Sequence, residues 1–337
     1  MTAPENPELP TNELRDALVE QARSIGLTGT ANRLAANPDL LPPPSAMPLI
    51  IDTDIGGDPD DAVALAVAAD LPELALVITS DEHGGRRARL ARHLLDLLGR
   101  PEVPVVAGID LGNENYWAAE GLTPTDVPEQ KRDVISAVRD VLDRADDKVR
   151  WLGIGPMSNL ATIINRLPEY TSRLVITQMG GGTHDRHADR AEHNIRLDVP
   201  AARTVLAANP RMWIVPSNVT FHAENEITTA SPEYELLTHA DGPWTLIREH
   251  LDQWFANFHP GSMQHDAMAL SQAMLLPFLR FTLTGVGLDD SGRMMPGEHT
   301  VFLVHKVNYA SFRTWLQKRL AQSILRRRVI TPDNRGG

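Results

Sequence analysis

The chain has 337 residues, a formal net charge of −12 and no cysteine. Its 42% share of hydrophobic residues allows a large core and favours one sizeable α/β enzyme domain. The lack of cysteine excludes disulfides, thiolate metal sites and a cysteine nucleophile. The acidic balance disfavours nucleic acid and anionic membranes as partners and suits a neutral or cationic small molecule.

Apolar runs alternate with helical segments from residue 48 onward. Predicted strands lie at 48–51, 74–79, 103–106, 150–154, 174–176 and 212–215, with later, antiparallel runs at 281–285 and 300–305. Predicted helices lie at 62–71, 87–98, 159–166, 200–208, 243–258, 266–274 and 312–324. This alternation predicts an α/β protein with a single open, mostly parallel, Rossmann-like sheet and helices on both faces.

The ends of the chain differ from this central region. Residues 1–47 predict a helical appendage, with Thr11 as a candidate cap, followed by a stiff linker at prolines 42–44. We expect one domain over residues 48–325 and a tail over 326–337. The first residues lack the pattern of a secretory signal, and no apolar run nears the roughly 18 residues of a membrane helix, so we expect a cytoplasmic protein.

An acidic turn follows the first predicted strand. It places five aspartates within ten residues: Asp52, Asp54, Asp58, Asp60 and Asp61. Carboxylates this close raise one another's pKa unless a cation neutralises them, and Gly56 and Gly57 let the backbone turn sharply. All-oxygen ligands suit a hard cation such as Ca²⁺ or Mg²⁺.

This turn admits three other interpretations. A solvated acidic loop would normally disperse its charge. An EF-hand is disfavoured because a strand precedes the turn and Val63 stands where the loop needs its final glutamate. A Mg²⁺-dependent phosphohydrolase that uses Asp52 or Asp54 remains an alternative, although Ile55-Gly56 departs from the usual motif of those enzymes.

The stretch from Ile51 to Leu65 resembles the N-terminal signature of the nucleoside hydrolases, in a variant with a longer turn. The resemblance implies that Asp54 and Asp61 ligate Ca²⁺, that Asp54 also activates the attacking water, and that Asp60 contacts ribose. It implies hydrolysis of a ribonucleoside to free base and ribose, in nucleoside catabolism and purine or pyrimidine salvage, by a homodimer or homotetramer. Asp58 is a further candidate in the same turn.

Three later segments are similar to other parts of that family's site. After the fourth strand, the backbone carbonyl of Ile154 is implied to complete the metal shell. In the stretches Met179–Gly182 and Ala191–Asn194, Glu192 and Asn194 are implied to hydrogen-bond ribose hydroxyls, with Met179 packing nearby.

The last segment, His265-Asp266, is implied to supply a third calcium carboxylate from Asp266 and a proton for the leaving base from His265. On the preceding predicted helix, Trp254 is a candidate to stack on the base.

The chain departs from the family pattern at two expected asparagines. Asp81 or Glu82 stands near the first, and Arg186 falls at the second, within a charged insert. His193 replaces a residue that is often phenylalanine. These changes affect the outer ribose or base pocket, and they suggest the hypothesis that an arginine accepts a 5′-phosphate. They also leave open a binding protein that has lost hydrolysis, and a structural subunit that docks a partner through residues 1–47.

Overall fold

The structure, a computed structural model, describes residues 19–20, 23–24, 26, 28–35, 46–113, 116–182, 190–208 and 210–330. Contacts divide the chain into two compact units, Met1–Met47 and Pro48–Gly337. In the first unit, helix α1 spans Thr28–Ala35, and Val19 is buried with Ala31. Thr11 and prolines 42–44 lie outside the described residues.

The second unit alternates strands and helices as predicted. Its described strands are β1 (Leu49–Thr53), β2 (Leu74–Thr79), β3 (Val105–Ala107), β4 (Val149–Gly153), β5 (Leu174–Met179), β6 (Met212–Val215), β7 (Glu226–Thr228), β8 (Gly261–Met263), β9 (Leu279–Leu288), β10 (Met294–Pro296) and β11 (His299–Val307). Its described α-helices are α2 (Asp60–Ala68), α3 (Arg86–Leu97), α4 (Val134–Arg144), α5 (Ser158–Arg166), α6 (His193–Leu197), α7 (Val199–Ala207), α8 (Ser217–Thr220), α9 (Pro232–Thr238), α10 (Pro243–Asn257), α11 (His265–Ala273) and α12 (Tyr309–Ile330). Every segment predicted from residue 48 onward overlaps one of these elements. The last helix runs past residue 325, so it extends into the predicted tail.

The sheet of this unit has nine described strands in the order β10-β9-β11-β6-β5-β4-β1-β2-β3. The seven strands β11, β6, β5, β4, β1, β2 and β3 are parallel to one another, whereas β9 and β10 pair antiparallel at one edge of the sheet. From β1 the chain proceeds to β2 and β3 on one side, and β4 to β6 lie on the other. The carboxyl ends of β1 and β4 therefore form the switch point at which open α/β sheets bind ligands.

Both faces of the sheet are covered. In β1 the buried side chains of Leu49 and Ile51 join one hydrophobic cluster, and Ile50 joins the cluster on the opposite face. Helix α2 is buried at all nine positions, as expected for a helix that is apolar on every side after its acidic first turn. This arrangement confirms the predicted fold class. No described helix is both long and apolar enough to cross a membrane.

Candidate active site

A pocket of about 310 Å³ opens at the switch point of the sheet. The predicted residues that line it are Asp54, Asp58, Asp60, Asp61, Ile154, Met179, Glu192, His193, Asn194, Trp254, His265 and Asp266. Asp81 is not among the lining residues, and Arg186 lies outside the described residues. The structure thus brings together nearly all the side chains that the sequence singled out in four separate segments.

The bottom of the pocket is formed by carboxylates, here called the acidic floor: Asp54, Asp60, Asp61 and Asp266. Oxygen atoms of Asp60, Asp61 and Asp266 lie within 4.8 Å of one another. Asp60 and Asp61 open helix α2 and Asp266 lies in the first turn of α11, so two helix N-termini direct their partial positive charge toward this cluster. The backbone N–H of Asp266 donates to Asp60 Oδ2 at 3.2 Å and ties the two helix starts together.

Burial and mutual repulsion make this cluster costly to ionise without a counter-charge. Asp60, Asp61 and Asp266 are each at most 4% exposed. Removal from water, and then the charges of neighbouring aspartates, raise the pKa of all three well above the usual value. Buried oxygen donors of this kind fit a hard divalent cation, which would neutralise their repulsion. The cluster can therefore hold a metal ion.

The sequence analysis predicted that Asp54, rather than Asp60, ligates the cation together with Asp61 and Asp266. In the structure Asp54 lies outside the 4.8 Å group, while its charge raises the pKa of Asp61 and Asp266. Asp54 follows β1 directly, and its own pKa is raised to about 6 by removal from water, partly offset by Arg87. Gly155 makes room for it, because a Cβ there would lie 3.1 Å from Asp54 Oδ1.

Arg87, which the sequence analysis did not single out, is the internal counter-charge of the acidic turn. Its guanidinium donates to the carbonyl oxygens of Asp54, of Ile55 at 3.0 Å and of Asp81 at 2.6 Å. It also faces the Asp81 carboxylate at 3.5 Å. A cation in the first turn of a helix opposes the helix dipole, and Arg87 occupies such a place in α3. That unfavourable position was the signal available in the sequence.

Two predicted acidic residues support the pocket from behind. Asp52 is 1% exposed, and its carboxylate accepts from Asn159 Nδ2 at 2.9 Å, which joins β1 to α5. Asp58 lines the pocket but accepts from the hydroxyl of Ser262 in β8. Burial raises the pKa of both aspartates to about 8. Their hydrogen bonds assign them to the framework of the acidic turn.

The segment at 192–194 is held by backbone groups. The carboxylate of Glu192 caps α6 by accepting from the N–H groups of Gly181, Asn194 and Ile195 at 2.9–3.2 Å. The side-chain amide of Asn194 donates to the carbonyl oxygens of Ile154 and Met179 at 3.1 and 3.3 Å. With both amide hydrogens engaged, Asn194 offers a ligand its amide oxygen as a hydrogen-bond acceptor.

His265 stands at the start of α11, beside the metal-binding candidate Asp266. Its Nδ1 lies 2.6 Å from the hydroxyl of Thr220, and its ring lies 6.0 Å from that of Phe221, another pocket-lining residue. The Thr220 contact fixes the imidazole orientation in the pocket. A histidine so placed has the chemistry of a proton donor or acceptor.

The mouth of the pocket, here called the rim, is formed by Tyr116, Arg190, His193, Arg196 and Trp254. The rings of Tyr116 and His193 meet edge to face at 5.9 Å. The ring of Phe258 lies between those of Tyr116 and Trp254, with centroid distances of 5.9 Å to Tyr116 and 5.0 Å to Trp254. Flat apolar surfaces at a pocket mouth suit a planar ring.

The loop after β3 contributes residues that the sequence analysis missed. Asn113 lines the pocket and donates to Asp81 Oδ2 at 2.8 Å, so an asparagine reaches this wall from a different segment than expected. Trp117 covers Gly56 of the acidic turn, where a Cβ would lie 2.4 Å from the indole ring. Gly56 also has a φ of +109°, which glycine alone adopts readily.

The curated relatives of this chain are ribonucleoside hydrolases. The non-specific ribonucleoside hydrolase RihC of Shigella sonnei is 32% identical over 279 residues, covering 76% of this chain and 88% of the relative. The pyrimidine-specific ribonucleoside hydrolase RihA of an Enterobacter species is 28% identical over 279 residues, covering 75% and 87%.

Among solved structures, the purine-preferring ribonucleoside hydrolase of Gardnerella vaginalis has the same fold. It superposes with a TM-score of 0.67 at 20% identity, covering 82% of this chain and 98% of that one. The family model described as inosine-uridine preferring nucleoside hydrolase matches residues 49–314. The chain therefore belongs to the inosine-uridine preferring nucleoside hydrolase family, whose enzymes hydrolyse N-glycosyl bonds.

Proposed function

We propose that this protein hydrolyses the N-glycosidic bond of a ribonucleoside with the aid of bound Ca²⁺, and releases free base and ribose. The observation that carries the proposal is the buried cluster of Asp60, Asp61 and Asp266 at the switch point of the sheet, with His265 in the same pocket. This arrangement supplies a cation site and an ionisable group within one cavity of suitable size.

The acidic floor provides the ligands that such a cation prefers. Asp61 and Asp266 would hold it, with Asp60 beside them and with Asp54 and Ile154 lining the same pocket. Oxygen-only donors favour Ca²⁺ or Mg²⁺ over zinc. When bound, the cation would neutralise the floor and lower the pKa of a water molecule.

Asp54 is the proposed general base. Its carboxylate lines the pocket directly after β1 and lies outside the close group of Asp60, Asp61 and Asp266, where it can accept a proton from water. The other carboxylates of the floor favour the positive charge that develops on ribose as the bond breaks. Glu192 and the amide oxygen of Asn194 are proposed to accept hydrogen bonds from ribose hydroxyls, with Met179 packing against the sugar.

His265 is proposed to protonate the departing base, which would otherwise leave as an anion. Trp254 and Tyr116 are proposed to stack on that base at the rim. The names of the similar proteins describe one as pyrimidine-specific, one as purine-preferring and one as non-specific. They therefore support a nucleoside substrate without selecting its base. The cytoplasmic location, the role in salvage and the homodimer or homotetramer stay predictions.

The test is ribose release by the full-length protein from a panel of purine and pyrimidine ribonucleosides, with added Ca²⁺ or with a chelator. Reducing sugar that appears with Ca²⁺ and disappears with the chelator would support the proposal, and equal release under both conditions would refute the cation requirement. Nucleoside binding without release would favour the binding-protein alternative. Phosphate release from an aryl phosphate would favour the phosphohydrolase.

A further inference from the structure

The pocket carries opposite charges at its two ends. The floor is acidic, whereas Arg190, His193 and Arg196 follow one another at three-residue spacing along the rim and all line the pocket. Arg196 Nη2 lies 3.3 Å from His193 Nδ1. These residues flank Glu192 and Asn194, so the cationic groups adjoin the part of the pocket assigned to ribose.

The two rim arginines are exposed and face no described carboxylate at salt-bridge distance. Several other arginines of the described chain are ion-paired, as Arg293 is with Asp289 at 2.7 Å and Arg313 is with Glu233 at 2.6 Å. Arg87 also lines the pocket, but its guanidinium is engaged with the acidic turn and Asp81. In a chain with a net charge of −12, two exposed arginines that line one pocket and face no carboxylate among the described residues indicate a site for an anion.

His193 completes a set of donors at this place. Because a guanidinium can only donate, His193 Nδ1 accepts from Arg196, and the ring hydrogen of the neutral imidazole lies on Nε2. Burial, and then the charges of Arg196, Arg87 and Arg190, lower the pKa of His193 to about 4. At neutral pH the ring is therefore an uncharged N–H donor in a positive field.

We propose that Arg190, Arg196 and the Nε2–H of His193 bind a phosphate group carried on the ribose, so that the preferred substrate is a phosphorylated ribonucleoside. This inference rests on the proposed function for the position of the ribose. The 5′ carbon of the ribose projects furthest from the sugar ring, so the phosphate is most simply attached to the 5′ hydroxyl. Two guanidinium forks and a third donor match a tetrahedral anion with three terminal oxygens better than a carboxylate with two.

Calorimetric titration of the Ca²⁺-loaded full chain with ribose, ribose 5-phosphate and inorganic phosphate tests the site without requiring turnover. Ribose 5-phosphate should bind more tightly than either of the others. The double variant Arg190→Gln/Arg196→Gln should weaken its binding by roughly tenfold for each arginine, since charge-assisted hydrogen bonds are lost, and leave ribose binding unchanged. Arg196→Lys, which keeps the charge but loses the fork, should give an intermediate loss.

Arg144→Gln is the matched control, because Arg144 is an exposed arginine of α4 that does not line the pocket. It should bind ribose 5-phosphate as the wild type does. Equal wild-type affinity for ribose and ribose 5-phosphate would overturn the inference, and so would inorganic phosphate binding as tightly as the ester. Thermal melting of each variant separates loss of the site from loss of the fold.

Turnover then distinguishes this inference from the proposed function. A higher kcat/KM for a nucleoside 5′-monophosphate than for its nucleoside, lost in the double variant, would support both. Hydrolysis of nucleosides with no gain from the phosphate would overturn the inference and leave the proposed function standing. Arginine-dependent binding of ribose 5-phosphate, with no hydrolysis of either compound, would sustain the anion site and refute the proposed function.

Discussion

The acidic floor and the rim of the pocket are built in different ways. Asp60, Asp61 and Asp266 lie at the starts of two buried helices and are almost inaccessible to solvent. Tyr116 and Arg190 come from irregular segments, and Tyr116 is 44% exposed. The proposed chemistry therefore rests on parts that the core of the fold fixes, whereas substrate choice rests on parts that can change without disturbing that core.

The two regions should therefore respond differently to substitution. A change in the floor should lower the rate for every substrate by a similar factor. A change in the rim should alter the ratio of rates between substrates.

Asp54→Asn should cause the largest loss, because the proposed base can no longer accept a proton. We expect kcat to fall roughly 10³-fold for purine and pyrimidine nucleosides alike. Single-turnover ribose release measures this loss. The exposed Asp126→Asn is the matched control and should retain the wild-type rate. Turnover by Asp54→Asn equal to that of the wild type would remove Asp54 from the mechanism.

His265→Gln should reduce the rate according to the leaving group. We expect a fall of about 10²-fold for a natural nucleoside, whose base needs a proton to depart, and little change for an aryl riboside with a good leaving group. Steady-state kcat on both substrates gives the comparison. An equal loss on both would mean that His265 acts on the sugar or the water instead.

Chelation should destabilise the protein and make its stability depend on pH. Without a cation, removal from water raises the pKa of Asp54 to about 6 and of Asp58 to about 8, above the usual 3.8. The folded state then holds more protons than the unfolded chain, so stability is greatest at low pH and falls as pH rises through these values.

Saturating Ca²⁺ should reverse this loss, adding about 2.7 kcal/mol to the unfolding free energy at a hundred times its Kd. Urea unfolding at about pH 5 and about pH 8, with Ca²⁺ or with a chelator, measures both effects. The fall with rising pH should be steeper in the chelated protein than in the Ca²⁺-loaded protein. An identical fall with saturating Ca²⁺ would indicate that the carboxylates do not bind the cation.

Tyr116→Ala should give the smallest effect and the most selective one. Loss of one aromatic surface at the rim should raise KM a few-fold for purine nucleosides, which present the larger ring, and leave kcat unchanged. Phe281→Ala removes an exposed aromatic ring outside the pocket and is the matched control. A large fall in kcat would show that the rim also positions the reacting groups, and would contradict the division between a floor that sets the rate and a rim that sets substrate preference.

The floor was predictable from the sequence and the rim was largely not. Five aspartates directly after a buried strand have few structural explanations other than a cation site, and His265-Asp266 at a helix start agrees with one. Strand and helix positions followed from hydrophobic runs, and the family comparison confirms the enzyme class. Asp60, and not Asp54, lies within 4.8 Å of Asp61 and Asp266, because the starts of α2 and α11 meet at this cluster. Local sequence does not encode such a tertiary contact.

Tyr116 of the rim and Asn113 of the adjoining wall lacked such a signal. Asn113 and Tyr116 lie in a long irregular segment between β3 and α4, without periodicity to fix where each side chain points. Arg87 offered only the signal of a cation in the first turn of a helix. Its role depends on carbonyl oxygens more than thirty residues earlier in the chain. Even α4 was overlooked, although Asp133 caps it by accepting from Ser136 N at 3.0 Å.

The contact of Trp117 with Gly56 has a consequence for how this pocket can evolve. The indole sits where any side chain at position 56 would have to stand, and the next residue back, Tyr116, belongs to the rim. A larger residue at position 56 would displace the indole, and with it the neighbouring wall of the binding cavity. Sequence changes between β3 and α4 are therefore restricted to those that keep an aromatic ring packed against Gly56. Variants that accept new bases at the mouth must therefore keep the space that the Trp117 indole occupies above the acidic turn.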